Sequence, residues 1–81
     1  MTIRVLFFAS LADATGMREA EVDPGLHPDV ASVFTEFARK FPMLEAHRAS
    51  LLYALNSEFV GPDAAVSDGD EVAFLPPVSG G

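Results

Sequence analysis

The first strand predicted by the hydrophobic pattern covers residues 2–9 (TIRVLFFA). It is apolar on both faces, with Ile3, Val5 and Phe7 on one and Leu6 and Phe8 on the other. Apolar residues on both faces are typical of an interior strand. Residues 18–22 (REAEV) alternate between acidic and apolar side chains, which predicts a half-exposed strand. Between these strands, residues 10–16 have the start and stop signals of a short helix.

A single apolar stripe of helical period occupies residues 28–41. Its members are Val30, Val33, Phe34, Phe37 and Phe41. Positions three or four apart predict one amphipathic helix, and we expect its aromatic stripe to pack in the core. Pro28 suits the first helical position, Asp29 the first turn, and Pro42 ends the helix.

The second half of the chain predicts a β-hairpin. Residues 51–55 (LLYAL) and 58–60 (EFV) are apolar runs, and Asn56-Ser57 between them is typical of a tight hairpin tip. Residues 43–50 precede the hairpin as a loop or a short helical turn.

A turn signal at residues 67–70 (SDGD) precedes the last predicted strand, residues 71–75 (EVAFL). Pro76-Pro77 ends this strand because proline cannot donate to a β-ladder. The order of elements predicts an α+β roll, with one main helix packed across one face of a mixed sheet. We expect residues 1–75 to form this domain and residues 76–81 to form an extended tail.

Composition narrows the function classes. The 81 residues predict one small domain, and the absence of cysteine excludes disulfides and thiolate chemistry. The formal net charge is −7, from five basic and twelve acidic residues. Such a charge disfavours nucleic acid and anionic membranes as partners and favours a basic protein surface. The alternative is that the charge serves solubility alone. No stretch approaches the roughly 20 apolar residues of a membrane span, and we expect a cytoplasmic protein.

Side chains that could support chemistry of their own are few. His27 and His47 lack the spacing of a metal-binding pair, and we expect both at the surface. Asp68, Asp70 and Glu71 lie in a pattern typical of a turn, without the ligand array of a calcium loop. Phosphate-loop and serine-nucleophile motifs do not occur in the sequence. We therefore predict a non-catalytic chain with no metal site and no active-site pocket of its own.

The last ten residues, VAFLPPVSGG, carry no charged side chain. Pro76-Pro77 stiffens the root of the tail and lowers the entropy lost on ordering. Val78-Ser79 is small, and Gly80 and Gly81 lack Cβ, so the backbone can enter a narrow channel in another protein. The reactive group that this tail would deliver is the α-carboxylate of Gly81. A carboxylate is a poor acyl donor until ATP adenylates it.

Three segments resemble the molybdopterin synthase small subunits, a branch of the ubiquitin-like sulfur carriers. They are IRVLFFASLADATG at the front, YALNSEFV around Asn56, and DGDEVAFLPPVSGG at the end. The last segment is the most specific, and it differs at Leu75, where an aromatic residue is also common. The LADATG insertion and Pro76-Pro77 distinguish the chain from the shorter carriers of the thiamine pathway.

This resemblance implies a β-grasp fold and a role in carrying sulfur. An E1-like enzyme would adenylate Gly81 with ATP and magnesium, and a sulfurtransferase would supply the sulfur of a Gly81 thiocarboxylate. The tail would then enter the large synthase subunit, in a heterotetramer, and sulfurate cyclic pyranopterin monophosphate for the molybdenum cofactor. The chain itself would hold no stable cofactor.

The family pattern also implies which residues act at the terminus and contact partners. Gly80 and Gly81 form the working terminus, and the contacts are Phe7, Phe59, Leu75, Pro76, Pro77, Val78 and Ser79, although Phe7 could equally belong to the core. Three alternatives stay open. They are a sulfur carrier for thiamine or amino-acid biosynthesis, a protein modifier joined through Gly81 to a lysine, and an interaction domain with an inert tail.

Overall fold

The computed structural model describes residues 2–77. Its elements are β1 (Ile3–Phe7), α1 (Ser10–Thr15), β2 (Glu19–Val22), a 3-10 turn (Pro24–Leu26), α2 (Val30–Lys40), a longer 3-10 segment (Pro42–Ser50), β3 (Leu52–Leu55), β4 (Glu58–Val60) and β5 (Glu71–Leu75). The predicted order of elements is confirmed, and the segment before β3 is helical. No helix in this part of the chain is long and apolar enough to span a membrane.

The strands form one mixed sheet in the order β2-β1-β5-β3-β4. Strands β1 and β5 are parallel, with Val5 opposite Val72, and the other neighbours are antiparallel. A parallel pair needs a long crossover connection, and here that connection runs through α2. The predicted mixed sheet is confirmed, and the first and last strands lie side by side at its centre.

Alternation along the strands buries one face of the sheet against α2. The buried side chains of β1 and β5 pack against the apolar stripe of α2. They are Ile3, Val5, Phe7, Val72 and Phe74 in the strands and Val30, Val33, Phe34 and Phe37 in the helix. The Phe74 ring lies at the centre, with its centroid 5.2 Å from that of Phe34 and 5.9 Å from that of Tyr53. Both pairs are edge-to-face, a geometry that adds about 0.5–1.5 kcal/mol to the burial of each ring. The expected core position of the helical stripe is confirmed for four of its five members, and the fifth, Phe41, is half-buried against the same core.

Helix α2 begins two residues later than predicted. Asp29 is its N-cap: the carboxylate accepts a hydrogen bond from the Ser32 N–H at 2.8 Å, and Ser32 Oγ accepts one from the Asp29 N–H at 3.2 Å. Pro28 therefore lies before the helix, because this reciprocal cap already satisfies the free donors of the first turn. Near the other end, an ion pair joins Glu36 and Arg39 at 2.6 Å.

The prediction of a surface histidine at position 27 is wrong, because His27 is buried. A backbone bridge joins Asp29 to Ala65, and the Val66 N–H donates to the Pro28 carbonyl at 3.2 Å. These contacts bring residues from the loop before β5 against the start of α2. A bridge between two irregular segments leaves no periodic signal, so the hydrophobic pattern could not predict it.

Candidate functional site

The sheet face opposite α2 has an apolar centre. The register aligns a row of side chains across four strands, with Leu6 beside Ala73, Ala73 beside Ala54, and Ala54 beside Phe59. Leu75 lies one step further along the sheet, and the five residues are called the outer face below. Phe59 is exposed, and Leu6 and Leu75 are half-buried. An apolar surface that includes an exposed aromatic ring is typical of a protein-binding site.

Two alanines form the floor of a shallow depression of about 220 Å3 in the outer face. Ala54 and Ala73 are each only 9% exposed. The larger apolar side chains around the depression are Leu6, Phe8, Phe59 and Leu75, and Ser57 and Glu71 complete its lining. Phe59 is 72% exposed and Phe8 is 43% exposed. The rings of Phe8 and Phe59 can anchor a partner, and the depression beside them can accept one of its side chains, as in interface hot spots.

A charged margin borders the outer face on the side away from the tail. Arg4 lies in β1 and donates two hydrogen bonds to the Glu19 carboxylate of β2, at 3.0 and 3.1 Å. Its guanidinium also pairs with Glu71 of β5 at 3.4 Å. The hydrogen bond with Glu19 raises the pKa of Arg4 above its ordinary value. These pairs are exposed and add little stability, but they fix where acidic groups lie beside the apolar centre.

The root of the tail lies at the edge of the outer face. Leu75 ends β5 and is half-buried, Pro76 is half-buried, and Pro77 is exposed. The Phe8 N–H donates to the Phe74 carbonyl at 3.2 Å, which holds the end of β1 beside the point where the tail departs. The outer face and the described root of the tail, Pro76-Pro77, therefore lie next to each other.

The structure places the predicted contact residues unequally. Phe59, Leu75, Pro76 and Pro77 all lie on or beside the outer face. Val78, Ser79, Gly80 and Gly81 lie outside the described residues.

Phe7 does not belong to the outer face: of the two positions left open for it, partner contact or core, the structure shows the core. Phe7 is 3% exposed, and its ring centroid lies 5.0 Å from that of Phe37 in α2. The alternation of the first strand had placed Leu6 and Phe8 opposite Phe7. That alternation was the signal for Leu6 in the outer face and for Phe8 beside it, neither of which the family pattern gave.

The described residues hold few groups suited to catalysis. No set of three or more His, Asp or Glu side chains within residues 2–77 could hold a metal ion. Asp70 and Asn56 hydrogen-bond each other at 3.0 Å, which agrees with turn chemistry for the acidic residues before β5. A second, open depression of about 500 Å3 lies beside α1, lined in part by Ala9, Asp13 and Arg18. The geometry of this part of the chain is suited to docking.

Comparison with known proteins decides the family. A family model described as the ThiS family matches residues 5–81. The chain belongs to the ThiS family. This ThiS-family chain is 35% identical to the molybdopterin synthase sulfur carrier subunit of Chlamydomonas reinhardtii, over 100% of each chain. It is 38% identical to the subunit of the same name from Escherichia coli, over 98% of this chain and 99% of the relative. The resemblance to molybdopterin synthase small subunits is therefore confirmed.

Solved structures give the fold of this ThiS-family member. The crystal structure of SAMP1 from Haloferax volcanii matches with a TM-score of 0.82 at 29% identity, over 100% of both chains. A chain in the complex of subunits 1 and 2 of the molybdopterin-converting factor from Helicobacter pylori matches with a TM-score of 0.68 at 22% identity, over 100% of both chains. These matches confirm the β-grasp, ubiquitin-like fold.

Proposed function

We propose that this chain is the sulfur carrier subunit of a molybdopterin synthase. The observation that carries the proposal is its full-length similarity, at 35% and 38% identity, to relatives of that name. The outer face and the adjacent root of the tail support it, because a carrier needs a surface for docking as well as a group for transfer. We place the chain in the cytoplasm with its partners.

We propose that sulfur is carried on Gly81 as a thiocarboxylate. An E1-like partner binds ATP and magnesium, joins one carboxylate oxygen to the α-phosphate and releases pyrophosphate. The persulfide of a sulfurtransferase attacks the acyl carbon and displaces AMP, and a thiol then cleaves the S–S bond. Gly81 is left with one sulfur in place of one oxygen. This sulfur is then transferred to cyclic pyranopterin monophosphate, and water restores the carboxylate.

We propose that the large synthase subunit binds the outer face and receives the tail. Phe59 and Phe8 supply exposed aromatic anchors, and the depression between them accepts an apolar side chain of the partner. Pro76-Pro77 directs Val78-Ser79 and Gly80 into the channel that leads to the substrate. The large subunit supplies the pocket and the acid–base groups, so this chain is a donor subunit rather than the catalyst.

The intact mass of the chain tests the sulfur-carrying role. We would incubate it with ATP, magnesium, its cognate activating enzyme and a sulfur source, and expect one oxygen to be replaced by one sulfur. A variant lacking Gly81 and a variant with one residue added after Gly81 are the controls. Both should fold like the wild type and gain no sulfur. If the wild-type mass stays unchanged although the activating enzyme is competent, the proposal is refuted.

A further inference from the structure

The hairpin between β3 and β4 is tied to the start of β5 by the side chain of Asn56. Its Nδ2 donates to Asp70 Oδ1 at 3.0 Å, and its Oδ1 accepts from the Glu71 N–H at 2.9 Å. The Asn56 N–H also donates to the Glu71 carbonyl at 2.8 Å. The second oxygen of Asp70, Oδ2, accepts from the Ser67 N–H at 2.8 Å. One amide thus joins the hairpin tip to a turn that is already held by its own hydrogen bond.

The residue type at position 56 follows from this geometry. Asn56 has φ of +51° and Ser57 has φ of +72°, so both central positions of the hairpin are left-handed. Asparagine tolerates that conformation better than most residues, and such turns match the twist of a hairpin. An amide both donates and accepts, whereas a carboxylate only accepts. Asparagine therefore serves the turn and the tie to β5 at once.

The part of the sheet held by this tie carries the main exposed ring. Strand β4 is three residues long, lies at the edge of the sheet and pairs with β3 alone. Phe59 is its middle residue and is 72% exposed, so it has few contacts of its own to hold it in place. A short edge strand of this kind is expected to move relative to the sheet unless its hairpin is fixed.

We propose that Asn56 and Asp70 form a latch that positions Phe59 for docking. Asn56 is a positioning residue: it holds the β3–β4 hairpin on β5, so that Phe59 stands beside the depression before the partner arrives. Binding then loses less entropy than it would with a mobile hairpin. This inference rests on the proposed docking of the large subunit at the outer face.

Exchange of the two side chains tests the latch. Asn56→Asp replaces the donor with a second carboxylate opposite Asp70, and the dissociation constant for the large subunit should rise about tenfold. The double variant Asn56→Asp/Asp70→Asn restores one donor and one acceptor and should bind within about twofold of wild type. Asp68→Asn makes the same substitution as the Asp70 half of the exchange, two residues away in the same turn, at a side chain without a hydrogen bond in residues 2–77. It is the matched control and should bind like the wild type.

Steady-state sulfur transfer separates positioning from chemistry. With the thiocarboxylated chain as the substrate, Asn56→Asp should raise KM for the carrier and leave kcat at saturation unchanged, because a docked hairpin is held by the partner. Melting temperatures of all variants monitor folding. If Asn56→Asp does not fold, Asp70→Ala removes the acceptor of the Asn56 Nδ2 hydrogen bond and takes its place in both assays.

A cycle with Phe59→Ala gives the decisive result. If the latch acts through Phe59, Asn56→Asp should change binding less than about twofold in the Phe59→Ala background. An equal loss in both backgrounds, or wild-type binding by the single variants, would overturn the latch and leave the proposed function standing. Failure of the wild-type chain itself to bind the large subunit would contradict the proposed function, and the latch with it.

Discussion

At the scale of single residues, Phe7 and Phe8 are neighbours with opposite surroundings. Phe7 is enclosed by the rings of Phe37 and Phe74, whereas Phe8 lies beside the depression of the outer face. Phe7→Ala should lower the free energy of unfolding by about 3–5 kcal/mol, because it removes a buried ring and leaves a cavity. Phe8→Ala should cost about 1 kcal/mol or less. Urea unfolding of the two variants measures both values, and similar losses would contradict the assignment of the two faces.

Phe59 is the residue on which docking should depend most. Phe59→Ala should weaken binding of the large subunit by about 2 kcal/mol, the loss typical of a central aromatic anchor. Its melting temperature should stay near that of wild type, since the ring is mainly in solvent. Met43→Ala is the matched control, because Met43 is 64% exposed and lies in the 3-10 segment after α2. Isothermal titration calorimetry with both variants compares the two sites, and equal effects would argue against the outer face.

At the scale of elements, the start of α2 depends on one carboxylate. Asp29→Ala removes the hydrogen bond to the Ser32 N–H and should destabilise the domain by about 1 kcal/mol. Asp63→Ala is the control, since its side chain forms no hydrogen bond within residues 2–77. Thermal unfolding at neutral pH measures the difference. If the two variants have the same melting temperature, the cap has no net effect on stability.

Strand β3 carries the only tyrosine of the sequence, Tyr53, which packs against Phe74. Burial raises the pKa of Tyr53 above its ordinary value, and the nearby Arg48 opposes the rise in part. The folded state therefore favours the neutral phenol. The stability contributed by the buried neutral phenol is fully present below the unfolded pKa of about 10, and it is lost as the pH rises through the higher folded pKa.

As the pH rises from about 9 to about 11, the free energy of unfolding of Tyr53→Phe should therefore fall less than that of the wild type. The two proteins should be closely similar near neutral pH, where both side chains are uncharged. Urea unfolding across this range measures the difference, and ultraviolet absorbance follows the ionisation of Tyr53 without interference from another tyrosine. Parallel stability curves for the two proteins would show that the ionisation is not coupled to folding.

The elements that could be predicted from the sequence are those with a repeating pattern. Strand β5 has the predicted bounds because its alternation ends at Pro76-Pro77, and α2 follows from its apolar stripe. Contacts between irregular segments could not be predicted, and the buried His27 lies in such a segment, between the 3-10 turn and α2. Phe7 shows a further limit: the alternation gave its face correctly, but only the position of α2 decides which face is covered.

At the scale of the whole molecule, the net charge of −7 should speed the encounter with a basic partner. The association rate constant with the large subunit should fall about tenfold between about 0.05 M and 0.5 M salt, with a smaller change in the dissociation rate. Glu58→Gln, next to Phe59, should reduce this salt dependence more than Asp63→Asn does. Stopped-flow measurements at several salt concentrations test it. An association rate that does not depend on salt would mean that charge serves solubility alone.

The central position of β5 also has a consequence for synthesis. Strand β5 comes after β1, β2, β3 and β4 along the chain, but it lies between β1 and β3 in the sheet. On the ribosome, the pairs β1–β2 and β3–β4 emerge first, and two-stranded units of this size are barely stable in water. We expect the sheet to close in one late step, when β5 joins the two pairs. The same step completes the outer face and anchors the root of the tail. We therefore expect a chain that has not folded to offer no outer face to the large subunit, so that folding decides which molecules can dock.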